Sequence, residues 1–155
     1  MKKPATLCIV DMQPEFVAAM SQYIIHHITL LIQRAKTKRA GIVVLEYQRC
    51  GRTLYQIREA LEGYKNVITC KKKNDDGSIE FLDACDHEKF NKKQVIVCGV
   101  NTDMCITDTA LGIKQHYPKA QVEVVADACS TDNGLTCHRI GLSRMKRRGI
   151  LVIGR

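Results

Sequence analysis

The 155-residue chain has no tryptophan, three phenylalanines and three prolines. So few flat rings leave little to stack on nucleobases or on a pyridine ring, which argues against a single-strand nucleic-acid platform. No apolar run approaches the ~20 residues that a membrane-spanning helix needs. The opening "MKKPATLCIVDMQPEF" starts basic, but its apolar run ends at Asp11, too short for a secretory signal. No CxxC pair occurs, which removes a zinc ribbon and a thioredoxin-type site. A glycine-rich dinucleotide loop is missing too, because "DMQPEF" after the first apolar run contains no glycine.

What the chain does have is cysteine: eight of them. Cys8, Cys70 and Cys98 sit inside apolar strand-like runs, where a free thiol behaves as a small hydrophobe. With no secretory signal, the expectation is free thiols in a reducing cytoplasm. A chain this long buries roughly 68–70% of its unfolded surface in one core, so no cross-links are required and a single domain over 1–155 is expected. The net charge of +8 comes partly from "KTKR" at 36–39, "KKK" at 71–73 and "RMKRR" at 144–148. Such clusters can hold a nucleic acid. Here they lie in separate elements without interleaved aromatics, and they suit the negative ends of helices. No nucleic-acid partner and no membrane partner are expected.

Six β-branched runs alternate with helix-like stretches: 5–12, 41–47, 66–71, 94–100, 121–127 and 149–154. The runs are continuously apolar, as strands covered on both faces are. Strand–helix alternation implies right-handed crossovers, hence a three-layer α/β/α sandwich, Rossmann-like, with a six-stranded parallel sheet. Ligands of such sheets bind beyond the carboxyl ends of the strands, where strand order reverses. The polar residues at those ends are Asp11 and Gln13, then Glu46 and Gln48, then Lys71 to Lys73. Asn101, Thr102, Asp103 and Cys105 follow the fourth strand, and Asp127 and Ser130 the fifth.

Cys105 falls where the helix after the fourth strand begins, with Thr102 or Asp103 as N-cap. Free N–H groups and the helix dipole favour a thiolate there and could hold an oxyanion. A nucleophile also needs a base or a cation, and Asp11 and one lysine of 71–73 can reach the same edge. The bland alternative is one more buried helix cysteine, as read for Cys85 and Cys137. Competing schemes fail on spacing. A tyrosine-phosphatase loop needs arginine at the position of Leu111, and a dehalogenase-type phosphatase needs aspartate at the position of Gln13.

"CIVDMQPEF" together with "VIVCGVNTDMCITDTA" resembles the isochorismatase-like cysteine hydrolases, a superfamily that includes isochorismatases, nicotinamidases and N-carbamoyl-amide hydrolases. The resemblance extends to "VVADACST" at 124–131. "LEYQRCGRT" and "KKNDDGS" are similar to a compact bacterial subgroup. The resemblance implies a catalytic triad of Asp11, a lysine and Cys105. Cys105 would attack an amide carbonyl to give a thioester, and Asp11 would carry the proton. Spacing to "DDGS" favours Lys72, with Lys71 next; alternation along the strand lets only one of them face Asp11. The resemblance also implies a cis peptide between Val100 and Asn101, aiming the N–H groups of Asn101 and Cys105 at an oxyanion. Gln13, Glu46 and Lys71 are expected to line the substrate pocket.

Departures narrow the activity. Nicotinamidases bind a metal through an Asp-x-His pair after the second strand plus a further histidine, and here that region holds Glu46 and Gln48. The five histidines (26, 27, 87, 116 and 138) fall in helical segments and read as surface or packing groups. No metal and no cofactor are expected. Isochorismatases cleave a vinyl ether without needing the cysteine, so its presence points to amide, ureide or carbamoyl chemistry. The alternative is a catalytically idle or regulatory relative that binds a small ligand or a partner protein. The resemblance also implies a homo-oligomer, with the apolar segment 16–32 contributing to the contact.

Overall fold

In the computed structural model, which describes residues 2–154, six strands form one parallel sheet. They are β1 (Thr6–Val10), β2 (Ile42–Tyr47), β3 (Val67–Lys72), β4 (Gln94–Val100), β5 (Gln121–Ser130) and β6 (Leu151–Ile153). Five helices connect them: α1 (Gln22–Thr37), α2 (Tyr55–Leu61), α3 (Ser78–Glu88), α4 (Thr107–His116) and α5 (Leu135–Arg147). The three-layer arrangement expected from the alternation is present.

Side-chain alternation builds the two covering layers. Cys8 and Val10 of β1, with Val43 and Leu45 of β2, pack into a core that includes Phe81, Ile113 and Met145 from α3, α4 and α5. Leu7 and Ile9, with Ile42 and Val44, pack into a second core with Ile24, Ile28, Ile32 and Ile57 from α1 and α2. Strands buried on both faces therefore read as unbroken apolar runs.

The long apolar segment after β1 is not one helix. A short 3-10 turn (Val17–Met20) precedes α1, and Ser21 breaks the two apart by accepting a hydrogen bond from the Ile24 N–H at 3.4 Å. Ile24, Ile25, Ile28, Leu31, Ile32 and Ala35 recur at helical spacing and are all buried. Each large aliphatic buried this way stabilises the fold by roughly 1.5–3 kcal/mol, far more than helix propensity contributes. Most of this segment's apolar surface is thus covered within the chain; Val17, Met20, Tyr23 and Leu30 stay exposed. β5 is longer than expected and takes in Asp127 and Ser130, so neither caps a helix.

The strand order is β3-β2-β1-β4-β5-β6. The chain winds outward from β1 to β3, returns to the centre at β4, and winds the other way. The order reverses between β1 and β4, the place where sheets of this kind bind their ligands, beyond the carboxyl ends. Val10 and Gly99 pair across these two strands, and at the φ of +123° that Gly99 adopts an added Cβ would lie 2.1 Å from the Val10 carbonyl oxygen. The β4–β5 register shifts between Val97 and Gly99. This tight, bulged end delivers the residues after β1 and β4 to the same place. No helix among the described residues is long and apolar enough to cross a membrane.

Candidate active site

Asp11 follows β1 directly, and its φ of 54° turns the chain sharply away from the strand. Its side chain is fully buried. Lys72, the last residue of β3, reaches across β2, so that Lys72 Nζ lies 3.0 Å from Asp11 Oδ2, both side chains being 0% exposed. Nζ also donates to the carbonyls of Asn74 and Asp75 at 3.0 and 3.3 Å and lies 4.1 Å from the centre of the Tyr47 ring. Lys71, its neighbour on the opposite face, is exposed and sits in register with Glu46. Alternation therefore sends one lysine inward and one to solvent.

After β4 the Val100–Asn101 peptide is cis. The chain then makes a π-helical turn (Thr102–Ile106) before α4, with the Asn101 carbonyl accepting from the N–H groups of Met104 and Ile106, both at 3.1 Å. Cys105 lies in this turn and is 3% exposed. Neither Thr102 nor Asp103 caps the turn, contrary to expectation. Thr102 Oγ1 pairs with His138 Nδ1 at 2.7 Å, and the Asp103 carboxylate accepts from Thr131 Oγ1 at 2.6 Å and Asn133 Nδ2 at 3.1 Å. Asn101 Oδ1 accepts from the Asp132 N–H at 2.8 Å. These bonds tie the turn to the segment between β5 and α5 and to α5 itself.

The electrostatics also differ from the sequence expectation of a thiolate. Burial first, and the Asp11 carboxylate next, push the Cys105 thiol well above its ordinary range, with Lys72 pulling the other way. Burial likewise pushes the Asp11 carboxyl upward against the pull of Lys72. Burial thus disfavours the Cys105 thiolate, beside an Asp11 carboxyl that burial also makes harder to ionise. Asp11 Oδ1 is buried with no well-aligned donor among the described residues, although the carboxyl interacts with the Cys105 thiol. Oδ2 meets Lys72 as an ion pair rather than an aligned hydrogen bond. A buried acceptor without a donor is costly in a purely structural setting.

Gln13 and Glu46, expected to line the pocket, are engaged elsewhere. Gln13 Nε2 donates to the carbonyls of Tyr47 at 3.0 Å and Gly51 at 2.7 Å, and Oε1 accepts from the Tyr47 N–H at 2.7 Å. Glu46 Oε2 accepts from the N–H and the hydroxyl of Thr53, at 2.6 and 2.7 Å. Both pin the segment after β2. With Glu46 so engaged and Gln48 beside it, the residues at this strand end do not fit a metal. Among the described residues, no group of three or more His, Cys, Asp or Glu is placed to hold one. A cavity of about 730 Å³ lined by Lys2, Lys3, Arg34, Lys38 and Lys114 opens at the amino ends of the strands, away from Asp11 and Cys105.

One residue of the site went unread in the sequence. Asp75 Oδ1 accepts from the Cys105 thiol at 3.7 Å and from the Tyr47 hydroxyl at 3.2 Å. It sits in "NDDG", which reads as turn chemistry and carries no signal of a site.

Comparisons with known proteins agree with this architecture. A 60-residue stretch is 35% identical to the isochorismatase domain-containing protein 2 of Rattus norvegicus, covering 39% of this chain and 27% of that protein. Among solved structures, a ribonuclease of Caenorhabditis elegans superposes with a TM-score of 0.85 at 22% identity, over 97% of this chain and 77% of that one. The nicotinamidase of Staphylococcus aureus gives 0.83 at 21% identity, over 99% of this chain and 100% of that one. An octameric hydrolase of unknown specificity from Escherichia coli gives 0.74 at 20% identity, over 96% and 74% of the two chains. Identities this low speak for the fold alone. Residues 5–155 match the family model described as Isochorismatase domain, and the chain belongs to that family of hydrolases.

Proposed function

We propose that the protein is a cofactor-independent cysteine hydrolase that cleaves the C–N bond of a small amide, ureide or carbamoyl compound. The observation that carries this reading is the buried Asp11–Lys72 ion pair beside the buried Cys105 thiol, with which the Asp11 carboxyl interacts.

In this reading Cys105 Sγ attacks the carbonyl carbon while its proton passes to Asp11. Lys72 keeps Asp11 ionised until that moment and neutralises it when no proton is held. The N–H groups of Asn101 and Cys105 stabilise the charge developing on the carbonyl oxygen. The C–N bond breaks, the leaving nitrogen takes the proton from Asp11, and an acyl thioester stays on Cys105. Water then adds to the thioester carbonyl, giving its proton to Asp11. The S–C bond breaks, and that proton returns to the sulfur. The sum is one amide and one water converted to one acid and one amine. The similarity to the octameric Escherichia coli hydrolase, with the exposed Val17, Met20 and Leu30, supports self-association of this chain.

A screen of small amides and ureides against the wild type and Cys105→Ala tests the proposal. Turnover by the wild type and none by the folded variant is the expected result. A folded wild type inactive on every compound, but binding one of them, would instead favour the idle relative.

A further inference from the structure

The site holds more negative charge than the proposed reaction needs. Asp11 and Asp75 flank the thiol, and among the described residues Lys72 is the one cation paired with either of them. That ammonium is committed: it ion-pairs with Asp11, donates to two backbone carbonyls and lies against the Tyr47 ring. Asp75 makes no ion pair among the described residues. Its Oδ1 accepts from Tyr47 and Cys105, and its Oδ2 makes no hydrogen bond among the described residues. Asp75 is half-buried, so it touches the thiol and is still partly open to solvent.

The field of this carboxylate is felt around the site. Asp75 contributes, after burial and other causes, to the upward shifts of Asp11, Tyr47 and Cys105, and it is the largest charge effect on Asp108. Around Cys105, in a chain of net charge +8, the Lys72 ammonium is matched by Asp11 and the Asp75 carboxylate is left in excess. A carboxylate without a counter-ion attracts cationic ligands and repels anionic ones.

We infer that Asp75 is a specificity-determining residue that selects a small amide or ureide carrying an ammonium or guanidinium group beside the scissile carbonyl, and that it rejects substrates carrying a carboxylate there. The geometry sets the spacing. A carbonyl carbon in position for attack lies roughly 3–3.5 Å from the sulfur, and Asp75 Oδ1 is 3.7 Å from the same sulfur. A cation that meets Asp75 while the carbonyl meets Cys105 is therefore attached about one or two carbons from that carbonyl. The word substrate rests on the hydrolase reading above, but the charge selection is a property of the site itself.

The test measures that selection without turnover. Cys105 is alkylated with iodoacetamide, iodoacetate and 2-bromoethylamine, which are neutral, anionic and cationic. Peptide mass spectrometry follows the rates, each divided by that of N-acetylcysteine amide in the same tube. In the wild type, the cationic-to-anionic rate ratio at Cys105 should exceed unity on the order of tenfold, the low end of electrostatic focusing in a cleft. Asp75→Asn should bring the ratio to within about threefold of unity, and Asp75→Glu should preserve it. A ratio near unity in the wild type overturns the inference even if either variant fails to fold, as does a ratio in folded Asp75→Asn that matches the wild type. The outcome is separate from that of the amide screen: loss of charge preference with Cys105-dependent turnover removes this inference alone, whereas charge preference without turnover removes the hydrolase reading alone.

Discussion

Lys72 Nζ stands 3.0 Å from Asp11 Oδ2, with neither side chain open to solvent, although 61 positions separate them in the chain (72 − 11). Burying both charges costs several kcal/mol per ion, so the pair is held by the fold rather than holding it together. Replacing Lys72 by methionine strands the carboxylate. The expected result is a loss of about 3–5 kcal/mol in urea unfolding at neutral pH, the usual penalty for breaking a buried pair from one side. A loss below about 1 kcal/mol would mean that Asp11 is already neutral in the native protein.

Asp11 also gives stability a pH dependence of definite sign. Its carboxyl is raised in the folded state by burial, against Lys72. Between the ordinary carboxylate value of about 4 and that raised value, the native state binds more protons than the unfolded one. Stability from this group is full below that window and is lost as pH rises through the folded-state value. Asp11→Asn removes the effect. Denaturation midpoints measured from pH 4 to 7 should show the wild type losing ground to Asp11→Asn as pH rises; the opposite slope would mean a depressed carboxyl.

In the proposed reaction, Asp11→Asn keeps the shape and removes the proton acceptor. Turnover of any amide found in the screen should fall by about 10²–10⁴, the usual contribution of a positioned base. Near-normal kcat in the variant would assign the proton transfer to another group, Asp75 being the nearest candidate.

Gly99 sets the closeness of β1 and β4. An added Cβ would meet backbone rather than a yielding side chain, at a φ that disfavours it as well. Gly99→Ala should cost at least ~3 kcal/mol and lower Tm by about 10 °C. A calorimetric scan decides it. An unchanged Tm would show that the two strands can separate freely.

Gln13→Ala removes three hydrogen bonds that hold Tyr47 and Gly51. Stability should fall by about 1–3 kcal/mol as buried backbone groups lose partners. The charge selectivity of alkylation should weaken too, because Tyr47 orients Asp75. Stability loss with selectivity intact would separate the loop from the site.

The layers of the fold were legible because β1 and β2 bury both faces, which writes them as unbroken apolar runs, and because strict strand–helix alternation admits few topologies. The position of Cys105 was legible as an abrupt change from apolar strand to polar turn. Its environment was not. A helix start suggests a thiolate, but burial among residues distant in sequence reverses the sign. Gln13 and Glu46 look like pocket residues at strand ends, yet their partners are backbone groups and the Thr53 hydroxyl of the segment 47–53, whose path no local pattern encodes. Asp75 was invisible for a similar reason: its importance comes from Tyr47 and Cys105, two other elements folding back upon a turn.

In the proposed reaction Asp11, held by Lys72, takes the Cys105 proton as the sulfur attacks, which offsets the effect of burial and charge on the resting thiol. Iodoacetamide labelling of all eight cysteines, timed by peptide mass spectrometry near neutral pH, reads this proton transfer. Cys105 should react ahead of the more exposed Cys50, Cys70 and Cys137, and lose that lead in Asp11→Asn. Labelling that simply follows exposure, with Cys105 among the slow thiols and Asp11→Asn no different, would contradict it.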